Sequence, residues 1–216
     1  LADAVRGASS RSEQTRRVLA YWDLSTAMAD YYLAVREAVE MSALRNGVAR
    51  PGAEWEVALE KLRTRTQAAR RSAQAAQFQM ARLLGRSNES TLPLASDLPH
   101  GGRYESRYDQ IFAGRRSLPA ERLNDMLGLR FDELQAQATD EAEARNWLEH
   151  VSRTRNPNTG GEGLLRAYDL LSLRRRAFLY TLRDYNQKIA AYAELASPGR
   201  LEVPRLVAMH IKTDAA

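Results

Sequence analysis

Residues 53–84 read AEWEVALEKLRTRTQAARRSAQAAQFQMARLL, with neither proline nor glycine. Trp55, Leu59, Leu62, Thr66, Ala69, Ala73, Ala76, Met80 and Leu83 recur in steps of four and three along it. A sustained 3.5-residue repeat is the pattern of a helix packed along a coiled-coil seam. Its inward row turns from bulky to small beyond Leu62, so a partner helix should approach closely there. The flanks agree: Pro51-Gly52 precedes the stretch and Gly85 follows it, and both residue types end helices.

Three further stretches lack proline in the same way, at roughly Ser12–Asn46, Ala120–Arg155 and Leu164–Ala196. The last carries the row Leu164, Tyr168, Leu171, Arg175, Phe178, Leu182, Tyr185, Ile189 and Tyr192. The first carries two rows. One is Val18, Trp22, Ser25, Ala29, Tyr32 and Val39, with Arg36 filling a step; the other is Tyr21, Leu24, Met28, Tyr31, Val35 and Ala38. The rows are one residue apart, about 100° around the axis. A helix with two seams has two neighbours.

Short breaks join the first helix to the second and the third to the fourth, and short connections make antiparallel neighbours. The fold class expected is all-α: two long antiparallel, coiled-coil-like hairpins in a single elongated helical domain spanning 1–216. The first hairpin covers 12–84, an irregular connector 85–118, the second hairpin 119–196 and a tail 197–216. Folding the first hairpin about residue 49 sets Trp22 near Ala76, Ser25 near Ala73, Ala29 near Ala69, Tyr32 near Thr66 and Val39 near Leu59. Trp22, Tyr32, Ala69 and Ala73 are thus the expected seam, bulky facing small. In the second hairpin the same exercise pairs Tyr192 with Leu127, Ile189 with Phe131, Tyr185 with Leu134 and Leu182 with Ala138. It also sets Phe178 against Glu141 and Arg175 against Arg145. Like charges in a seam are unfavourable, so this hairpin is wetter than the first or paired in another register. The connector is long enough to have a function of its own, with one short helix expected around Tyr104–Phe112. The apolar tail Leu201–Ile211 should pack as a short extended piece or turn against the hairpin bases.

Several of these residues resemble the TolC-type outer-membrane efflux proteins. Val18-Leu19-Ala20-Tyr21-Trp22-Asp23-Leu24 is similar to the run that opens a descending periplasmic helix in that family. Leu83-Leu84-Gly85, with Leu92-Pro93-Leu94 and Asp97-Leu98-Pro99 after it, resembles the exit from the returning helix. Arg45-Asn46-Gly47-Val48 resembles the hairpin tip. Asp184-Tyr185-Asn186 and Ile189-Ala190-Ala191-Tyr192 resemble the end of the last helix. The resemblance implies a trimeric helical tunnel in the periplasm below an outer-membrane β-barrel. Its tips, here Arg45, Asn46, Gly47 and Val48, would dock a periplasmic adaptor (membrane fusion) protein and through it an inner-membrane pump. The sequence holds none of the roughly 10-residue alternating segments that barrel strands need. The second turn, Asn156-Pro157-Asn158-Thr159-Gly160-Gly161, does not follow the family's tip pattern. The chain opens at Leu1 without a signal-peptide pattern, as a mature or excised piece would. A coiled-coil scaffold or adaptor that binds partner helices and conducts nothing is the alternative reading.

Chemistry is sparse. There is no cysteine, which excludes disulfides, thiolate metal sites and a cysteine nucleophile. His100, His150 and His210 lie outside any HExxH or ExxH frame. Glu37 and Glu40 read as a solvated face, and no metal, cofactor or catalytic residue is expected. Gly160-Gly161-Glu162-Gly163 follows no strand and reads as a turn. The net charge is +5, and only three of the 32 basic residues are lysine. Arg174-Arg175-Arg176 fans over roughly 200° of a helix, not the one-signed stripe that nucleic acid requires. Gly47 reads as a C-cap with positive φ, Arg45 as a cation favoured at the negative helix end, and Val48 as an exposed apolar turn residue. No apolar run approaches the ~20 residues of a membrane helix.

Overall fold

A computed structural model describes residues 1–86, 91–156 and 161–211. Among these, the elements are α1 (Ala2–Val5), α2 (Arg11–Asn46), α3 (Ala53–Leu83), α4 (Tyr108–Ile111), α5 (Leu118–Thr154), α6 (Glu162–Ala196) and α7 (Val203–Ala208), with no strand. The chain is all-α, and α2 pairs with α3 and α5 with α6. Packing divides it into two units. One contains Leu1–Thr26, Ala75–Gln135 and Tyr180–Ala216; the other contains Ala27–Gln74 and Ala136–Leu179.

Local chemistry sets the helix ends. Ser10 Oγ accepts from the Glu13 N–H (3.1 Å), and the Glu13 carboxylate accepts from the Ser9 N–H (2.7 Å). The first bond satisfies an amide that the first turn of α2 leaves unpaired, and the second ties the residue before the cap to that turn. α3 ends on Gly85 at φ +71°, with Arg86 N–H donating to Ala81 O (2.9 Å) and Gly85 N–H to Arg82 O (3.1 Å). This is a Schellman closure, which only glycine enters without strain. Gly47 differs from expectation: its φ is not positive. Its N–H bonds back to Ala43 O and Leu44 O, so α2 ends by tightening its last turn.

The heptad rows of α3 and α6 are the buried rows. Trp55, Leu62, Ala69, Ala73 and Met80 are buried on α3, and Leu164, Tyr168, Leu171, Tyr185, Ile189 and Tyr192 on α6. On α2, Val18, Tyr21, Trp22 and Leu24 are buried, but the buried face then moves to Ala34, Glu37 and Met41. Tyr32 and Val39 are 63% and 66% exposed, so Tyr32 is not a seam residue against α3. Thr66 Oγ1 instead meets Ala34 O at 3.3 Å.

Charge explains the turn of the face. Arg65 forks between Asp30 (2.7 Å) and Glu37 (2.6 Å). Arg175 reaches Glu40 (2.6 Å), which also bonds Arg36 (2.7 Å) and accepts from Tyr168 Oη (3.0 Å). Glu37 is fully buried, which corrects the solvated face expected of it. Burial raises its carboxyl pKa despite the nearby arginines. A buried charge is tolerated only with partners and good geometry, so these acids face their arginines and push Tyr32 and Val39 outward.

The same logic settles α5 against α6. Arg175 lies against Glu141 (3.5 Å), Arg174 against Asp140 (2.8 Å) and Arg130 against Asp184 (2.8 Å). The pairing is displaced by about one helical turn from the apolar match read in the sequence. The displacement exchanges the Arg175–Arg145 conflict for ion pairs, and Arg145 folds back onto Glu141 (2.6 Å).

Candidate functional site

Two places gather the residues singled out in the sequence, one in each unit. In the first unit the connector crosses α2 and α6 as an extended strap. Tyr21 Oη accepts from the amides of Ser96 (3.2 Å) and Asp97 (3.0 Å) and donates to the Asp97 carboxylate. Burial, together with that carboxylate, pushes the Tyr21 phenol up to about 12. Asn186 holds both backbone groups of His100, accepting from its N–H (2.9 Å) and donating to its carbonyl (3.0 Å). Tyr185 Oη donates to Gly102 O (2.9 Å) and accepts from Tyr104 N–H (2.8 Å); Tyr192 Oη donates to Ser106 O (2.8 Å).

These bonds have a structural reason. A strap without helix or sheet of its own must find partners for its buried backbone groups elsewhere. Side chains at positions 185, 186 and 192 of α6 supply them. Aromatic contacts thicken the seam: His100 lies edge-on to Tyr104 (6.0 Å between ring centroids), Tyr104 to Tyr192 (6.2 Å) and Phe112 to Tyr192 (6.5 Å). Tyr185 and Tyr192, paired with Leu134 and Leu127 of α5 in the sequence reading, therefore serve the strap as well. Asp23 accepts from Gln187 (2.8 Å). Thus Tyr21-Trp22-Asp23, Asp97-Leu98-Pro99 and Asp184-Tyr185-Asn186, distant in sequence, meet in one place.

Below the strap the tail closes on the unit. Arg11, itself buried, donates to Ser197 O (2.9 Å), and the Gln14 amide exchanges bonds with both backbone groups of Leu201 (2.7 and 3.1 Å). The tail, expected as a short extended piece or turn, folds as the short helix α7 with Leu206 buried. His210 follows it, 2% exposed. Burial, then Arg11 and His100, push its pKa down to about 4, so it is neutral at pH 7.

No protein-family model, curated protein or solved structure matches this chain. The geometry therefore carries the functional argument, and the second place is the hairpin turn of the other unit. There Val48 is 7% exposed, in a cluster with Met41, Trp55, Leu62, Leu164, Leu165 and Tyr168. This corrects the exposed Val48 of the sequence reading. The α2–α3 turn folds Val48 inward, into the cluster with Trp55 and the start of α6. Arg45 pairs with Glu56 across the turn (2.5 Å), and Arg155 donates to Gly47 O (2.5 Å). Asn46, Gly47, Ala49 and Arg50 are left exposed. The second turn falls outside the described residues at 157–160. Its last residue, Gly161, sits at φ +81° over Val48 and Trp55.

The sequence reading gave Arg155 no role and read Gly161 only as part of a turn; both act on backbone or rings more than 100 residues away in the chain. Trp22, Ala69 and Ala73 are buried. Among the described residues no three His, Asp or Glu side chains gather as a metal ion would require. Among the described residues no helix is long and apolar enough to cross a membrane.

Proposed function

We propose that this chain is the periplasmic helical part of a TolC-like efflux or secretion conduit, acting by passive conduction and docking without bond chemistry. The observation that carries the reading is on α2. Val18, Tyr21, Trp22 and Leu24 are covered within the chain, while Tyr32, Val35 and Val39, further along the helix, stay exposed at steps of three and four. Apolar residues at that spacing form one stripe of a helix, and an uncovered stripe of this kind marks an interaction surface. A stave in a ring of helices needs such a second seam, supplied by a neighbouring copy in a homotrimer. The convergence of the resembling motifs on the strap of the first unit supports the same reading. The turn at Asn46, Gly47, Ala49 and Arg50 would meet the adaptor protein, and through it the inner-membrane pump, with Val48 holding the turn from beneath. On this reading the chain would work in the periplasm and outer membrane of the cell envelope.

An antibody to this chain, applied to fractionated source cells, tests the reading. Detection in the outer-membrane pellet is the expected result. Detection in the cytosol alone would refute it and leave the coiled-coil scaffold, which needs the same exposed stripe but no envelope.

A further inference from the structure

The first unit holds a cavity of about 630 Å³ between the strap, the end of α6 and the tail. Its volume is in the range of small-molecule sites, which combine an apolar body with a few convergent polar groups. Three features of its wall bear on what it could hold. Tyr104, Tyr192, Ile111 and Met209 give it an apolar and aromatic surface. Arg103, Arg107 and Arg205 line it from the strap and α7, with Glu105 the one acid among them. Glu105 lies 3.8 Å from Arg107, while among the described residues no carboxylate lies within ion-pair distance of Arg103 or Arg205. Third, His210 stands in the wall, all but fully buried, and its Nδ1 has no hydrogen-bond partner among the described residues.

A buried polar atom without a partner is uncommon in folded proteins and calls for an explanation. Two arginines without carboxylates beside the same cavity point to an anion, because guanidinium groups bind carboxylate and sulfonate oxygens in a fixed fork. A small inorganic ion would leave the aromatic and aliphatic wall unused. A neutral apolar molecule would leave Arg205 and His210 unused, and Arg103 with only the Phe131 ring beneath its guanidinium (5.8 Å). We infer that this cavity is a binding site for an amphipathic organic anion, with its ring or chain against Tyr104, Tyr192 and Met209 and its acid group toward Arg103 and Arg205. The inference is independent of the conduit reading, since the whole cavity belongs to one unit of one chain.

Two dyes of nearly the same shape test it: 1-anilinonaphthalene-8-sulfonate, and N-phenyl-1-naphthylamine, which lacks the sulfonate. Each is titrated into the full chain, followed by fluorescence and by amide shifts in ¹⁵N-labelled protein. The expected result is saturable binding of the sulfonate at one site, with shifts at Ser106, Ser197 and Met209. Its affinity should be about tenfold or more above that of the neutral dye. Arg103→Ala and Arg205→Ala, both at exposed positions, should each weaken the sulfonate about fivefold and leave the neutral dye unchanged. Ala196→Trp should fill the cavity and abolish both. The arginine variants keep the test decisive if that one does not fold. Equal affinity for the two dyes, indifference to both arginine substitutions, shifts confined to Tyr32–Val39, or no saturable binding would each overturn the inference.

Discussion

Gly161 offers a direct measure of how tightly the turn of the second unit is closed. A Cβ placed on it would lie 3.0 Å from Trp55 Cζ2 and 3.0 Å from Val48 Cγ2, and its φ is +81°. Gly161→Ala therefore meets two penalties. Left-handed backbone costs an alanine about 1–2 kcal/mol, and overpacking a filled core typically costs about 1–3 kcal/mol more. Against these stands a gain of about 0.4–1 kcal/mol from a less flexible unfolded chain. Gly85 supplies the control within the same protein, with φ +71° and nothing within 4 Å of its Cβ position. Gly85→Ala carries the backbone strain and the unfolded-state gain but no clash. The difference between the two variants is then the steric term alone, about 1–3 kcal/mol. With a urea slope of about 2 kcal/mol per molar, the midpoint for Gly161→Ala should lie roughly 0.5–1.5 M below that for Gly85→Ala. Trp fluorescence and far-UV circular dichroism read both transitions. Equal midpoints would refute the argument, because Val48 and Trp55 could not then be packed beneath Gly161.

Arg65→Met strands the buried Glu37 and should cost about 3–5 kcal/mol; adding Glu37→Gln should return a good part of it in the same urea titration. Ala69→Leu inserts bulk where α2 and α3 approach closely and should cost about 1–3 kcal/mol, so an unchanged melting temperature would show that the seam lies elsewhere. His210 has a folded pKa of about 4 against an ordinary 6.5. Its neutral form stabilises the fold fully above pH ~6.5, and that stabilisation is lost as pH falls toward about 4. Between pH 7 and 4 the parent should lose about 3 kcal/mol more than His210→Gln, read from paired urea curves; parallel losses would contradict the burial of His210. Val39→Glu should leave thermal stability within about 0.5 kcal/mol of the parent and lower self-association in sedimentation velocity, whereas unchanged association would remove the α2 stripe as an interface.

Legibility in the sequence followed the kind of force involved. The rows of α3 and α6 could be read because each buries a single apolar stripe, and a stripe is a periodic signal. The upper half of α2 could not, because its inward positions include Glu37 and, close by, Asp30 and Glu40. Periodicity counts acids as outward; only the position of Arg65 on α3 and Arg175 on α6 makes them inward. The α5–α6 register was lost for the same reason, since matching Leu127 to Tyr192 weighed hydrophobic contact and ignored Arg174 with Asp140. At the strap, Tyr185 and Asn186 stood out as motif residues, but their partners are backbone groups of His100, Gly102 and Tyr104. Backbone carries no sequence signal, so the bond could not be foreseen. Val48 was misread because a lone apolar residue in a turn has no period to place it.

The strap also fixes an order of events in the making of the molecule. Asn186 lies 86 residues beyond His100, and Tyr185 lies 81 beyond Tyr104. The ion pairs of the first hairpin span only 28 and 35 residues. Loop closure costs more as the loop lengthens, and contacts of short range tend to form first. On a ribosome the first hairpin can close while the connector trails behind it with its amides still bound to water. The amides of His100 and Tyr104 find their partners only when the last long helix has emerged, so a chain truncated before Tyr185 would leave this part of the connector loose.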